Sequence, residues 1–366
     1  MRSFDVVIVG GGVAGTAVSL ALHHHAPHLT CAIIERGNYD TPRIGETLPP
    51  QTAVILQQLG LWPSFLAQHF LPAHGTAAAW GQPQPYANDF VFTTHGYGWH
   101  LDRQAFDCWL AHEAVARGAA LYKQTRLAGQ QQEADGWMLR LQTAVSAEAI
   151  HARFVVDATG RLATFARQQG SQKQKADDLV SIYAFVEAAT ADSYALVEAI
   201  EGGWWYSARL PNGRLAVALM TDRDLAQQHQ LRQPTNWQQW LAMAPHTARR
   251  LGGGGEKTAV LHLTAAHSQR LQTAVGNGWT VGNGWLAVGD AATTFDPLSS
   301  QGIFKALRHA TLAAYAIDDT LQGKAAGLPK YQKLIDLEFN SYLQTRRDYY
   351  RQEQRWPTAP FWQRRH

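Results

Sequence analysis

A glycine-rich turn near the start of the chain limits the fold more than any other feature. It reads Gly10-x-Gly12-x-x-Gly15 and follows Phe4–Val9, an apolar run typical of a strand buried on both faces. The first glycine permits a tight turn, the second lets backbone approach a pyrophosphate, and the third allows close helix–strand contact. Glu35, 20 residues after the last glycine, suits the acceptor of an adenosine ribose. The segment predicts a dinucleotide-binding βαβ unit.

Composition narrows the class of protein. A length of 366 residues indicates one large domain or two closely joined domains. The two cysteines, Cys31 and Cys108, exclude a disulfide framework, and a net charge of +3 is too small to indicate nucleic-acid binding. No uncharged apolar run is long enough to span a membrane. We expect a cytoplasmic globular protein with no metal site, no nucleic-acid partner and no membrane association.

The order of elements predicts an α/β fold: a Rossmann-like domain with an inserted, mainly antiparallel β-sheet domain and C-terminal helices. Strand-like runs occur at Ser181–Glu187, Trp204–Leu210, Leu215–Met220 and Val260–Thr264, and another is expected at Phe90–Thr94. The glycine run 252–255 and the repeated VGNGW of 275–285 predict loops and turns. The expected division is 1–75, 101–175 and 271–325 for the dinucleotide-binding domain, 76–100 and 176–270 for the substrate domain, and 326–366 for a C-terminal helix and tail.

Two later motifs each follow a predicted strand. One is Asp157-Ala158-Thr159-Gly160, and the other is Gly289-Asp290-Ala291-Ala292, which continues into residues 296–303. In this order, behind the first glycine turn, they resemble the FAD-binding pattern of the flavoprotein monooxygenase superfamily. That superfamily includes para-hydroxybenzoate-hydroxylase-type enzymes and flavin-dependent halogenases. The resemblance spans nearly the whole chain and implies FAD as the cofactor of the Rossmann-like domain.

The resemblance also assigns roles in the third motif. The family's aspartate after glycine holds the ribityl chain, which implies this role for Asp290. Pro297 ends one element, and Ser299 or Ser300 is a good N-cap for the next helix. The N–H groups of that helix would face the flavin pyrimidine edge, where they stabilise the negative charge of reduced flavin. The alternative is an ordinary cap of a buried helix.

The stretch RIGETLPP, residues 43–50, is the most distinctive part of the sequence. Arg43 is placed to pair with FAD phosphates, Gly45 permits backbone approach to the ring system, and Glu46 is the candidate catalytic acid or base. Arg103 resembles the family's second flavin-contacting arginine, although both arginines could instead form surface ion pairs. The cofactor-binding set predicted in this way is Gly10, Gly12, Val13, Ala14, Gly15, Glu35, Arg36, Arg43, Gly45, Arg103, Leu127, Asp157, Gly160, Gly289, Asp290, Pro297, Gly302 and Ile303.

Four stretches narrow the resemblance to one subgroup: RIGETLPP, GWWYSARLP, GDAATTFDPLSSQGI and PFWQRR. They are similar to the LodB- and GoxB-type flavoproteins that accompany quinone-cofactor oxidases. The resemblance implies a monooxygenase that hydroxylates a tryptophan in the precursor of a quinone-cofactor amine or amino-acid oxidase during cysteine tryptophylquinone formation. The motif at 157–161 departs from the Asp-Gly motif of NADPH-dependent aromatic hydroxylases, so a separate flavin reductant is a further expected partner.

Three alternatives remain open from the sequence. The protein could be a small-molecule aromatic hydroxylase, a flavin-dependent halogenase, or a non-catalytic maturation partner with a flavin fold. Halogenation is disfavoured because the first lysine is Lys123, which leaves no lysine where halogenases carry the one that relays hypohalous acid. In addition, Tyr206 and Ala208 occupy the places of the two tryptophans in the halogenase W-x-W-x-I-P motif.

Three further groups of residues have two interpretations each. Trp204 and Trp205 could form the wall of an aromatic substrate cavity or pack in the core. His95 and His100 are weaker acid–base candidates than Glu46 and could be purely structural. The arginine-rich tail 345–366 could dock an acidic partner. We favour a solvated helix face whose arginine stems cover apolar surface.

Overall fold

The computed structural model describes residues 1–251, 260–276 and 284–366. Within them the strands are β1 Arg2–Val9, β2 Cys31–Ile34, β3 Thr47–Leu48, β4 Leu71–Ala73, β5 Gly75–Ala79, β6 Tyr86–Asp89, β7 Gly98–His100, β8 Ala120–Tyr122, β9 Arg126–Gln132, β10 Trp137–Gln142, β11 Ala147–Asp157, β12 Lys173–Lys175, β13 Leu179–Glu187, β14 Ala195–Ile200, β15 Gly203–Arg209, β16 Arg214–Asp222, β17 His262–Ala265, β18 Gln269–Leu271, β19 Gly284–Ala287 and β20 Thr293–Thr294. The α-helices are α1 Val13–His25, α2 Thr52–Gln58, α3 Trp62–Leu66, α4 Arg103–Ala116, α5 Thr164–Gln168, α6 Arg223–Gln228, α7 Pro234–Ala242, α8 Pro245–Arg250, α9 Gly302–Leu321, α10 Gly327–Arg351 and α11 Pro360–Gln363.

The first sheet joins three distant parts of the chain. Its order is β8-β2-β1-β11-β10-β9, and β19 pairs with the end of β11 that β10 leaves free. The strands β8, β2, β1, β11 and β19 run parallel, and Val9, Asp157 and Ala287 lie side by side in the register. The predicted α/β class is confirmed. The hairpin of β9 and β10 extends this sheet through the antiparallel pairing of β10 with β11.

Helices α1 and α9 pack closely together over the core of this sheet. Ala17 and Ala21 on α1 and Ala310 and Ala313 on α9 are buried, and small side chains let helix backbones approach one another. Both helices begin at the carboxyl edge of the parallel strands, α1 directly after the glycine-rich turn and α9 after the loop 295–301. Their N-terminal N–H groups are thereby brought to the same edge of the sheet.

A second sheet has the order β17-β13-β16-β15-β14-β5-β6 and is antiparallel except for the β14–β5 pair. One of its faces, including Ile182, Val217 and Trp205, packs on the helices that follow β16. One expectation is corrected here, because Phe90–Phe92 forms a 3₁₀ turn and not part of a strand. Strand β14 has no counterpart among the strands predicted from the sequence. The domain boundaries stay a prediction, and the glycine run 252–255 and most of the VGNGW repeat lie outside the described residues.

Part of the C-terminal segment 345–366 is buried against the second sheet, where the sequence predicted a solvated helix face. Trp362 is fully buried and donates its indole N–H to the carbonyl of Ile200 at 3.1 Å. Arg365 is also buried and forms an ion pair with Asp222 at 2.5 Å. Arg346, Arg355 and Arg365 therefore neutralise buried carboxylates, whereas Arg347 and Arg351 are exposed on α10, as the sequence predicted.

Tyr350, near the end of α10, joins the second sheet to the loop before α9 through its hydroxyl group. The hydroxyl accepts the indole N–H of Trp204 at 2.9 Å and donates to the Asp296 carboxylate at 2.8 Å. Arg346 donates to the same carboxylate at 3.0 Å. Trp204 belongs to the second sheet, and Asp296 lies in the loop before α9, so one buried tyrosine holds both in place.

No helix in the described ranges is long and apolar enough to cross a membrane.

We predict that Tyr350→Phe lowers the free energy of unfolding by about 1–3 kcal/mol, because the indole N–H and the carboxylate both lose a buried partner. Chemical denaturation of the apoprotein measures the change. Tyr349→Phe is the matched control. That neighbouring ring is 53% exposed, so the control should change stability by less than about 0.5 kcal/mol. Equal effects of the two substitutions would contradict the joining role of Tyr350.

Candidate active site

A cavity of about 620 Å³ lies at the carboxyl edge of the parallel strands. Its lining comes from the turns after β1, β11 and β19, from residues 43–47, from the start of α9 and from one face of the second sheet. This is where ligands bind in open parallel sheets, because the loops there diverge and leave a crevice. We refer to this cavity as the cleft.

Two glycines of the turn between β1 and α1 allow the close backbone contacts expected of them. Gly10 has a φ of +110°, and a Cβ placed on it would lie 2.2 Å from the carbonyl oxygen of Ala158. A Cβ on Gly15 would lie 1.9 Å from the carbonyl oxygen of Gly10, so both positions exclude a side chain. Gly12 differs, because a Cβ there meets nothing within 4 Å and the residue lines the cleft. No side chain caps the N-terminus of α1.

Glu35 lies at the end of β2 and lines the cleft beside Arg36. One of its carboxylate oxygens accepts the N–H of Gly11 at 2.7 Å, and the other accepts the N–H of Gly37 at 2.6 Å. A carboxylate offers about four lone-pair directions, so each oxygen can still accept a ligand hydroxyl. The backbone thus holds the acidic side chain in the position expected for a ribose acceptor.

The second turn is held together by Asp157. Its carboxylate accepts the N–H and the hydroxyl of Thr159 at 2.9 and 2.7 Å, and the N–H of Ala166 at 2.8 Å. Asp157 therefore shapes the turn and does not itself line the cleft, whereas Gly160 does. Of the predicted cofactor-binding residues, those outside the cleft lining are Gly15, Asp157 and Gly289.

The third turn brings a carboxylate to the cleft. Gly289 has a φ of +57°, and a Cβ on it would lie 2.6 Å from the Cβ of Ala14, so this glycine permits close contact between two turns. Asp290 follows it and lines the cleft. Burial raises the pKa of Asp290, but the cations Lys305, Arg161 and Arg103 outweigh this effect and hold it below the usual value.

The loop before α9 corrects one sequence expectation. The Asp296 carboxylate accepts the N–H of Leu298 at 3.0 Å, which caps a 3₁₀ turn. Ser300 takes a left-handed conformation with a φ of +49°, and the residue before α9 is Gln301. Neither Ser299 nor Ser300 is the N-cap of α9, and no side chain caps this helix. The N–H groups at Gly302 and beyond therefore face the cleft without a side-chain acceptor.

Arg103 holds the stretch that carries Glu46. Its guanidinium donates to both oxygens of Asp107 at 3.0 and 3.1 Å, and to the carbonyl oxygens of Ile44 and Gly45 at 3.1 and 3.3 Å. The side chain is 14% exposed, so this ion pair is not a surface one. Arg43 differs, because half of its side chain is exposed and its nearest approach to Asp107 is 3.8 Å. Both arginines and Gly45 line the cleft.

Glu46 is buried and lines the cleft. Desolvation raises the pKa of Glu46, although the Tyr206 hydroxyl, the Gly45 N–H and the Arg103 charge oppose this effect. The Gly45 N–H donates to one carboxylate oxygen at 2.8 Å. The Tyr206 hydroxyl lies 2.5 Å from that of Thr47. A buried carboxyl of raised pKa that interacts with the Tyr206 hydroxyl is suited to proton transfer.

The second sheet covers the cleft with side chains that the sequence analysis missed. Tyr183, Ala218 and Tyr206 lie side by side on adjacent strands, and Ser181 and Ala216 extend this surface. Small residues between two tyrosines leave room for a flat ring. Strand alternation in 203–211, which places Tyr206 and Trp204 on one face and Trp205 on the other, was the available signal.

Trp204 and Trp205 pack in the core and do not form the wall of a substrate cavity. Trp205 packs against Trp237 beneath the second sheet, and Trp204 packs under the C-terminal segment with Tyr350. Both are fully buried, and neither lines the cleft. His95 and His100 also lie outside the cleft lining, and burial lowers the pKa of His100 to about 4.

Comparison with known proteins decides the family. A family model described as an FAD-binding domain matches residues 3–333. LodB of Marinomonas mediterranea, named as an FAD-dependent oxidoreductase, is 30% identical over the whole of this chain and 98% of its own length. The chain belongs to the FAD-binding family. It is an FAD-dependent oxidoreductase and is called the flavoprotein below.

Two solved structures share the fold of the flavoprotein. The myxobacterial FAD-dependent halogenase CndH superposes with a TM-score of 0.88 at 22% identity, over 100% of this chain and 86% of that one. QhpG, described as a peptidyl tryptophan dihydroxylase essential for tryptophylquinone cofactor biogenesis, gives 0.79 at 24% identity, over 100% and 79%. At such identities the likeness concerns the fold, so the chemistry must be argued from the cleft.

The cleft fits FAD by its own geometry. At Gly12, Gly160 and Gly302 a Cβ would meet no atom within 4 Å, so backbone faces the cleft at each of the three turns. Helices α1 and α9 both start there without a side-chain cap, and uncapped helix starts attract anionic groups such as phosphates and reduced flavin. The flavoprotein thus offers backbone donors at two separate points of one crevice.

Alanine at two glycines should separate ligand contact from folding. Gly12→Ala should leave apoprotein stability almost unchanged and weaken FAD binding at least tenfold, because its Cβ enters only the cleft. Gly15→Ala should lower the melting temperature of the apoprotein, because its Cβ collides with backbone. Thermal unfolding without FAD and fluorescence titration with FAD measure the two effects. Unchanged FAD affinity in Gly12→Ala would contradict this placement of the pyrophosphate.

Proposed function

We propose that the flavoprotein is a monooxygenase that hydroxylates a tryptophan side chain in the precursor of a quinone-cofactor amine or amino-acid oxidase. The observation that carries the proposal is the whole-length likeness to LodB at 30% identity. The peptidyl tryptophan dihydroxylase QhpG, which shares the fold, adds support for a protein substrate. The cleft surface formed by Tyr183, Ala218 and Tyr206 suits a flat aromatic ring.

The proposed arrangement of FAD follows from the three turns. Gly12 at the start of α1 would hold the pyrophosphate, Glu35 the adenosine ribose, and Asp290 the ribityl chain. Gly45 and the start of α9 would face the flavin ring. When bound, reduced FAD activates O₂ for insertion into an electron-rich ring.

The protein's own residues have three tasks in this proposal. The α9 N–H groups stabilise negative charge at the flavin pyrimidine edge. The second sheet covers the ring and excludes water, and Tyr183 and Tyr206 orient the substrate indole. Glu46 accepts a proton during oxygenation, and Tyr206 and Thr47 hold its surroundings in place.

Halogenation is the competing chemistry, since CndH shares the fold. The described residues of the cleft lining include arginines but no lysine. A relay lysine is the feature by which halogenases direct hypohalous acid, so the cleft supports oxygenation better. The departure of residues 157–161 from the Asp-Gly pattern supports a separate flavin reductant as a second partner.

Mass spectrometry tests the proposed activity. The flavoprotein, a flavin reductant and O₂ should add 16 or 32 Da to one tryptophan of a purified precursor of a cysteine-tryptophylquinone oxidase. Free tryptophan and simple phenols should gain no mass, and added chloride or bromide should give no halogenated product. Oxygenation of the small molecules alone would instead indicate a small-molecule hydroxylase. Capture of the precursor without any mass change would indicate a maturation partner.

Glu46→Gln should retain FAD affinity and lower the single-turnover rate of substrate modification by about 10²-fold, the usual contribution of a general base. In the unmodified protein the rate should rise with pH through the raised pKa of Glu46, since only the carboxylate accepts a proton. The variant should lack this rise. Glu113→Gln, which breaks an ion pair with Arg117 outside the cleft lining, is the control and should keep the normal profile. An unchanged rate in Glu46→Gln would rule out the proton-accepting role.

A further inference from the structure

A buried lysine lies directly beneath the cleft and has no role in the activity proposed above. Lys305, one turn into α9, is 1% exposed. Its Nζ donates to a carboxylate oxygen of Asp290 at 3.0 Å and to the carbonyl oxygen of Thr293. It also lies 4.6 Å from the ring centroid of Phe295. Each of these neighbours belongs to the third turn and the strand that follows it.

Burying the charge of a lysine in this position costs free energy unless an oppositely charged partner compensates it. Removing an ammonium ion from water costs several kcal/mol, and lysines are almost never fully buried without a partner. A methionine would fill the same space against Phe295 with no charge to desolvate. The only carboxylate within 4.0 Å of Nζ in the described part of the chain is Asp290. Asp290 is therefore the carboxylate that compensates the buried charge of Lys305.

Lys305 contacts Asp290 from the side away from the cleft. Lys305 lies below the cleft and Asp290 lines it, with 42% of the Asp290 side chain exposed. Nζ contacts one carboxylate oxygen only, which leaves the other free to accept a ligand hydroxyl. Two further cations act on Asp290 from other elements, Arg161 in the turn after β11 and Arg103 on α4, but neither forms an ion pair with it within 4.0 Å.

We propose that Lys305 is a positioning residue that orients Asp290 and keeps it ionised as the acceptor for the ribityl hydroxyls of FAD. The inference rests on the proposed placement of FAD at Asp290, and not on the identity of the oxygenated substrate. The same contacts connect the loop that carries Asp290 to the N-terminal end of helix α9. They thereby fix the distance between Asp290 and the N–H groups of α9.

FAD titration of the purified apoprotein tests this role without any turnover. Lys305→Met and Asp290→Asn should each raise the FAD dissociation constant by roughly tenfold to a hundredfold, the usual effect of losing a charge-assisted hydrogen bond. The double variant should bind FAD no more weakly than Asp290→Asn alone, because the lysine acts through the aspartate. It also removes both charges, so it remains informative if Lys305→Met fails to fold.

Lys324→Met is the matched control. It breaks a lysine–aspartate pair of nearly the same length, 3.1 Å to Asp319. This pair lies at the other end of α9, about 30 Å along the helix, and is exposed. The control should bind FAD as the unmodified protein does. Weakening as large as that in Lys305→Met would show a general effect of lysine loss and overturn the proposal.

The pH dependence of FAD affinity separates positioning from mere packing. In the unmodified protein, affinity should be constant between about pH 5 and 8, because Asp290 is ionised throughout that range. Loss of the ammonium ion removes the largest influence that lowers the pKa of Asp290, so affinity in Lys305→Met should begin to fall at a higher pH than in the unmodified protein. If Lys305→Met lost FAD affinity equally at every pH, or lost no affinity, the proposed role of Lys305 would be wrong. The proposed placement of FAD in the cleft would be unaffected. Normal binding by Asp290→Asn would instead overturn the placement of the ribityl chain.

Discussion

The parallel pairing of β1, β11 and β19 is the constraint on which the site depends. These strands come from three distant parts of the chain, yet Val9, Asp157 and Ala287 lie side by side. Because parallel strands end at a common edge, the turns that follow them must meet there. The glycines then allow contacts that side chains would prevent, such as that of Gly10 with the Ala158 carbonyl. A one-residue shift in this register would separate the three turns.

Charge compensation around the cleft follows from burial. Arg103 pairs with Asp107, Lys305 with Asp290, and Arg346 with Asp296, so each cation supports a loop that lines the cleft. Two buried carboxylates of the cleft, Glu35 and Glu46, have no cationic nitrogen within 4.0 Å among the described residues. Backbone N–H groups hold Glu35 on both oxygens, whereas desolvation raises the pKa of Glu46. A buried carboxyl of raised pKa without a cationic partner is typical of a functional group.

Features determined by local chemistry could be predicted from the sequence. The roles of Gly10, Gly12 and Gly15 follow from spacing between a strand and a helix, and the structure places each glycine as expected. Features determined by distant packing could not. Ser299 and Ser300 are good N-caps in isolation, but the contacts of Asp296 with Arg346 and Tyr350 shift the start of α9 beyond them. Similarly, the sequence does not show that Arg346 and Arg365 pair with the distant carboxylates of Asp296 and Asp222.

The surface of the second sheet is where this flavoprotein can differ in chemistry from others of the same fold. The three turns present backbone to the cleft, whereas the facing strands present side chains with a period of two. Ala218 and Tyr206 line the cleft and also pack in the cluster that contains Trp204 and Tyr350, so an exchange there changes both the wall of the cleft and its contact with the C-terminal segment. The opposite face of the sheet, which packs on Trp237, is separate from this surface. The halogenase CndH and the peptidyl tryptophan dihydroxylase QhpG share this fold, so one backbone is compatible with different chemistries. In this chain the wall combines Tyr183 and Tyr206 with small neighbours and has no lysine among the described lining residues, and the proposed oxygenation depends on this combination.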